Sequence, residues 1–342
     1  MGFLQCDDYS ILMDTGTTYV HPDSRALVPT KREITLDNMK ALHDAGVKTV
    51  LNFIEWPSVE IGQLRYDWTT IDSLVDRNNQ AGMKTLLMVP CGTIDWLPAN
   101  YYVCSVSGAT SSIRMLSPWC KQAMDYMEDF IRVCCNRYES DTVQCIWGAQ
   151  REGETMLPPG LGGWQDAFAV ADYRSWCAKH GHQIRKPDIG DDTIFYKKAT
   201  DSPTIAWLKE SMVTYCKRFQ GLFREPWFCL HRAYSWTACC FIDEIYSSQT
   251  RQLWGIQFTH FPHGPLMATT IADMRKYKIN MWAGSEWVEG LASNTSTAIA
   301  QDLCGLITSP IYPFTKHDTI KPWMIDVFRG AIERWRASEQ AS

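Results

Sequence analysis

The chain has 342 residues, 45% apolar and 21% charged, which excludes a disordered polymer and is enough to bury a large core. Lys and Arg number 33 against 38 Asp and Glu, and the formal net charge of −5 argues against a nucleic-acid surface or a polybasic membrane anchor. Fifteen tryptophans stand out, a residue type that suits either a heavy core or the flat faces of sugar rings.

Strand and helix patterns alternate along the chain. Tyr9–Met13 reads as a first strand. Thr35–Ala45 reads as a helix with Leu36, Met39 and Leu42 on one face and Gly46 as its stop. Val47–Ile54 is a second, largely apolar strand. Ile71, Leu74, Val75 and Asn78 then follow helical spacing up to Gly82, and Lys84–Val89 is the third strand. Pro118 opens a long helix behind a Ser117 cap, with Trp119, Ala123, Met127, Phe130, Cys134 and Tyr138 recurring at steps of three to four. Val143–Gly148 is the fourth strand.

Helical stretches at Phe168–Ala178 and Ile205–Phe219 precede a fifth strand, Trp227–Leu230, and a helix at Ala238–Ser247. Leu253–Phe258 is the sixth strand, followed by a helix at Leu266–Tyr277. Asn280–Ala283 is the seventh, followed by Thr297–Leu303 as a helix capped by Ser296. Leu306–Tyr312 is the eighth, and a last helix starts near Pro322. Eight strands, each followed by a helix, fit a parallel sheet with crossover helices, and most naturally a single (β/α)8 barrel over residues 1–342 with long βα loops. The near-copies Ala45–Leu51 and Ala81–Leu87, 36 residues apart, mark one such unit. A doubly wound open sheet is the alternative, although no GxGxxG turn follows any strand. Two connections are long: Asn100–Ser117, and Gly181–Pro203.

The 13 cysteines form no zinc-finger spacing and no regular disulfide framework, and most sit in apolar segments. Met1–Ser10 does not read as a signal peptide, and no apolar run reaches the about 18 residues of a membrane span. A cytoplasmic protein is expected, or one released by lysis or mounted on a virion. No cofactor and no metal are expected; His180-Gly181-His182 lacks a third ligand at metal-like spacing. Oligomeric state is not legible.

In a barrel, chemistry sits just after the strand ends. The fourth strand runs into Arg151-Glu152-Gly153-Glu154-Thr155-Met156-Leu157-Pro158, and the seventh into Gly284-Ser285-Glu286-Trp287. Two carboxylates across a barrel mouth are the parts needed to cleave a glycosidic bond: one protonates the leaving oxygen, the other attacks carbon or activates water. Trp56, Trp96, Trp282 and Trp287 lie near predicted strand ends and are candidate sugar platforms. His260, after the sixth strand, is placed to hydrogen-bond a hydroxyl. Glu289 is an alternate for Glu286.

At these residues the sequence resembles a known group. Phe53-Ile54-Glu55-Trp56-Pro57, Gly62-Gln63-Leu64-Arg65-Tyr66-Asp67-Trp68, Ile71-Asp72 and Ala81-Gly82-Met83-Lys84 are similar to the segment around the second strand and helix of β-galactosidases of glycoside hydrolase families 35 and 42. Asp95-Trp96-Leu97-Pro98 resembles a loop of the same enzymes. The retaining clan to which they belong keeps its acid/base after the fourth strand and its nucleophile after the seventh, which implies Glu286 as nucleophile. Where those families carry Asn-Glu, this chain has Arg151-Glu152, whereas Gly153-Glu154-Thr155-Met156-Leu157-Pro158 is similar to the Gly-Glu-x-x-x-Pro stretch of β-amylases, whose Glu is the general acid.

The resemblance thus implies a hydrolase acting on a β-linked glycoside or oligosaccharide. Glu154 is its expected acid/base, with Glu152 in reserve, and Arg151 can take the place of the missing Asn as a hydroxyl donor. A retaining mechanism needs the two carboxyls about 5–5.5 Å apart, an inverting one about 6.5–9.5 Å. The alternatives are an inverting, β-amylase-like hydrolase with the same acid, and a carbohydrate-binding or structural protein on a glycosidase-like barrel.

Overall fold

The computed structural model describes residues 11–14, 19–20, 27–28, 34–91, 94, 96–103, 115–150, 165–184, 203–224, 254–258, 272, 275–276, 280–285, 288–303, 305–308 and 319–341. In chain order the strands are β1 (Ile11–Asp14), β2 (Tyr19–Val20), β3 (Leu27–Val28), β4 (Thr49–Glu55), β5 (Glu60–Gly62), β6 (Arg65–Tyr66), β7 (Lys84–Cys91), β8 (Val143–Gln150), β9 (Trp254–Phe258), β10 (Asn280–Ser285) and β11 (Gly305–Thr308). The helices are α1 (Leu36–Asp44), α2 (Trp56–Val59), α3 (Thr69–Gln80), α4 (Lys121–Tyr138), α5 (Ala167–Lys179), α6 (Pro203–Gln220), α7 (Leu291–Ala300) and α8 (Pro322–Ala341).

Seven strands form one sheet in the order β8-β7-β4-β1-β11-β10-β9, and every pair in it is parallel. Parallel neighbours need crossover connections, and these are right-handed almost without exception. From β1 to β8 each step moves one place in one direction, and from β9 to β11 each step moves one place in that same direction. Steps of one hand and one direction put the crossover helices on one face. A doubly wound sheet reverses direction at a switch point, so this order is not that of the alternative raised by the sequence. The first and last strands also pair directly, Ile11 opposite Leu306. The predicted fifth strand, Trp227–Leu230, the helix after it and most of Leu266–Tyr277 lie outside the described residues.

The two faces of the sheet have different partners. On β4, Asn52 accepts from Asn78 of α3 at 2.9 Å, and Val50 and Ile54 share that helix-facing core. On β8, Trp147 stacks on Phe219 of α6 with ring centroids 4.6 Å apart. Alternation in a strand sends the intervening side chains to the opposite face. Leu51, Phe53, Leu86, Met88, Gln144 and Ile146 are buried there, away from the helix-side cluster.

Helix ends explain the internal echo in the sequence. Thr35 caps α1 through a capping box with Asn38. At its other end Gly46 has φ +108°, and the Val47 N–H reaches back to Leu42 C=O at 3.0 Å. Gly82, φ +76°, closes α3 in the same way, with Met83 N–H on Asn78 C=O at 2.9 Å. Gly46 also makes a close approach: a Cβ there would sit 2.9 Å from Cγ2 of Ile332 on α8.

Two expected caps are corrected. The helix after Pro118 begins at Lys121 rather than at Pro118, and its N-cap Cys120 makes no capping side-chain hydrogen bond. Ser117 instead donates to Asp166 Oδ1 at 2.9 Å, and that oxygen also caps α5 by accepting the Ala169 N–H. Trp119 therefore lies in the turn before α4, stacked on Trp207 at 4.6 Å. Ser296 is not a cap but an interior residue of α7, which starts at Leu291 behind Gly290. The predicted burial on α4 holds: Ala123, Met127, Phe130, Cys134 and Tyr138 all face the core. Each large apolar side chain buried this way stabilises the fold by about 1.5–3 kcal/mol. The described cysteines Cys120, Cys134, Cys135, Cys145, Cys177 and Cys216 are buried free thiols. Among the described residues no helix is long and apolar enough to cross a membrane.

Candidate active site

Because the strands are parallel, their C-terminal ends share one edge of the sheet. Glu55 at the end of β4 pairs with Cys91 at the end of β7, and Cys91 with Gln150 at the end of β8. On the other flank Ser285, the last residue of β10, pairs with Thr308, the last of β11. Register shifts precede both Glu55 and Cys91, between Phe53 and Glu55 and between Val89 and Cys91, where the Val89-Pro90 peptide is cis. The edge is thus irregular where the chain leaves the sheet, as bulges near functional sites often are.

Glu55 was part of a motif in the sequence but not a candidate for the site. It is 7% exposed, an acidic residue ending an otherwise apolar and amide-bearing strand. That placement was the available signal: a carboxylate closing a run of residues destined for the core.

Trp56, expected as a sugar platform, is corrected to a core residue. It is 0% exposed and stacks on Phe130 at 4.8 Å. Its indole N–H donates to Glu60 Oε2 at 2.7 Å. Glu60 is itself buried, and its Oε1 accepts the Leu64 N–H at 2.8 Å and the Tyr126 hydroxyl. Burial, reinforced by the Glu60 charge, pushes the Tyr66 phenol up to about 12 and the Tyr126 phenol higher still. Both remain neutral donors at ordinary pH. This carboxylate accepts from three structural donors and ties α2 and the β5–β6 ribbon to α4.

Trp96 has the opposite character. It is 36% exposed and sits edge-on to Tyr126, with ring centroids 5.1 Å apart. The loop that follows is anchored: Tyr102 donates to the Ile94 carbonyl and pairs with Leu116, while Val103 N–H bonds Met115 C=O at 2.8 Å. The long excursion predicted at Asn100–Ser117 thus leaves and returns through a pinned stem, with residues 104–114 outside the described set.

Trp282 lies in β10, opposite Gly305 and Gln257. Glu289 is exposed in the short 3-10 turn Val288–Gly290. Arg151, Glu152, Glu154, His260, Glu286 and Trp287 lie outside the described residues. His180 and His182 both pack on the Trp176 ring, with centroids 4.2 and 5.2 Å from it. A cavity of about 400 Å3 is lined by helices α4, α5 and α6 and the Pro118–Trp119 turn, with no strand-end residue on its wall.

No protein-family model and no curated protein matches this sequence. Solved structures do match. The catalytic domain of the β-amylase from Paenibacillus polymyxa superposes with a TM-score of 0.67 at 13% identity, covering 96% of this chain and 99% of that one. The β-galactosidase from the psychrophilic Marinomonas ef1 gives 0.54 at 9% identity, covering 97% of this chain and 60% of that one. At such identities the likeness is one of fold alone. The two enzymes are of the same two kinds that the sequence motifs resemble.

Proposed function

We propose that the chain is a glycoside hydrolase built on one catalytic (β/α)8 barrel. The supporting observation is the singly wound parallel sheet, whose C-terminal edge carries Gln150 and Ser285 as the last residues before the two carboxylate-bearing segments. Glu154 is the acid/base, with Glu152 in reserve, and Glu286 is the nucleophile.

In this reading the acid protonates the glycosidic oxygen while Glu286 attacks the anomeric carbon, and water then releases the sugar with Glu154 acting as base. Trp96, with Trp282 and Trp287, offers aromatic faces to the sugar. Arg151 and His260 donate to hydroxyls. Carbohydrate is the only partner the reaction requires.

The β-amylase likeness, covering nearly all of both chains, also favours a second reading: an inverting hydrolase with the same acid, in which Glu286 activates water. The anomer of the first-formed product, followed by NMR during turnover of an aryl β-glycoside and of a β-amylase substrate, separates the two. Retention supports the covalent route and inversion the water route. Absence of any hydrolysis by folded protein across a panel of aryl glycosides and glucans would remove both.

A further inference from the structure

Three elements converge at the end of the sheet opposite the strand exits. Cys135 lies in the last turn of α4, Glu139 caps that helix, and Cys145 is the third residue of β8. The sulfurs of Cys135 and Cys145 and a Glu139 carboxylate oxygen all lie within 4.8 Å of one another. We propose that these three residues bind a thiophilic divalent cation of the zinc class, as a structural staple between α4 and β8.

The chemistry of the donors fits. Two thiolates and a carboxylate are ligands of Zn2+, and a water completes a tetrahedron. With metal–ligand distances of about 2.0–2.3 Å, tetrahedral ligand atoms stand about 3.5–3.8 Å apart, so the set, whose atoms lie within 4.8 Å of one another, has to tighten by about 1.3 Å at most. Glu139 is oriented as a ligating carboxylate needs to be: the Arg224 N–H donates to its Oε1 at 3.2 Å, and the Cys145 backbone also bonds to it.

Binding displaces one proton from each thiol into solvent and leaves the centre with a net charge of −1. Arg224, held by its guanidinium on the Ser140 carbonyl at 3.0 Å, stands beside that charge. The N-terminal end of barrel strands is the face associated with stability rather than catalysis, so a cation there has a structural role. Among the described residues no other such group of three His, Cys, Asp or Glu is present.

The test is Co2+ titration of full-length, chelator-treated protein under reducing conditions, read by the visible bands of tetrahedral Co2+ and the near-ultraviolet sulfur-to-cobalt band. The expected result is saturation at one equivalent. Cys135→Ser and Cys145→Ser each reduce the sulfur band by about half or abolish binding, Glu139→Gln keeps the band but weakens binding by about tenfold or more, and Cys216→Ser, a buried thiol outside the cluster, changes nothing. A folded wild type with no tetrahedral bands overturns the proposal, as do bands indifferent to all three cluster substitutions. Should either serine variant fail to fold, an unchanged Co2+ affinity in Glu139→Gln overturns it alone.

Discussion

The buried Trp56 indole N–H and the Glu60 carboxylate are joined at 2.7 Å, and the same carboxylate accepts from the Leu64 N–H and the Tyr126 hydroxyl on its other oxygen. A buried carboxylate is tolerated when it is hydrogen-bonded, and removing it strands its buried donors. Glu60→Leu leaves the buried Trp56 N–H without an acceptor, at a cost of about 1–3 kcal/mol, whereas the part-buried Leu64 and Tyr126 donors can turn to water. The expected loss in urea unfolding is therefore about 1–3 kcal/mol. Glu60→Gln keeps an acceptor oxygen and costs less. Equal stability of wild type and Glu60→Leu would mean that the cluster does not hold α2 in place.

Gly46 and Gly82 end equivalent helices but differ in their surroundings. Both have positive φ, where a Cβ costs about 1–2 kcal/mol. At Gly46 the added carbon also meets Ile332 at 2.9 Å, whereas at Gly82 the nearest atom is His43 Nε2 at 3.3 Å, the end of a movable ring. Gly46→Ala is expected to lower the unfolding midpoint more than Gly82→Ala, and thermal melts of the two variants side by side check the order.

Asp166 gives a pH-dependent prediction. Burial holds its carboxyl above the usual range despite the bonds from Ala169 and Ser117. A folded-state value above the unfolded one means that the group's contribution to stability is full below the unfolded value, near pH 3.9, and is lost as pH rises through the folded value. Asp166→Asn removes the charge and keeps an acceptor for Ser117 and Ala169. Its stability relative to wild type is expected to be most favourable at pH 7 and to decline towards pH 4. A stability difference independent of pH would contradict the buried charge.

Trp96 separates packing from binding. Half-exposed and resting edge-on against Tyr126, it contributes little to the core. Trp96→Ala is expected to change stability by less than about 1 kcal/mol while raising KM for an aryl glycoside, with kcat less affected. An unchanged KM would remove Trp96 from the sugar site.

Most of the described fold was legible because its signals are local. The Gly46 and Gly82 stops, the apolar run of β4 and the 3-to-4 spacing on α4 each follow from one short window of sequence. Ser117 was misread because a hydroxyl before proline resembles a helix cap, and its true partner, Asp166, is 49 residues away. Ser296 was misread for a related reason: the start of α7 at Leu291 has no capping side chain to mark it. Trp56 followed the strand end as expected, but position along a strand says nothing about depth. What buried it was Phe130 and Tyr126, contributed by a helix some 70 residues later. The carboxylate pair was legible only as two acidic segments after two strands, since the separation that decides chemistry depends on how distant loops meet.

The central claim is tested most directly by initial rates of aryl β-glycoside hydrolysis for wild type, Glu152→Gln, Glu154→Gln and Glu286→Gln, with folding of each checked by circular dichroism. The account predicts an active wild type, a fall of about 10²–10⁴-fold in Glu154→Gln and at least as large a fall in Glu286→Gln, with Glu152→Gln near wild type. Four folded proteins with the same rate, or a wild type without activity, would contradict it.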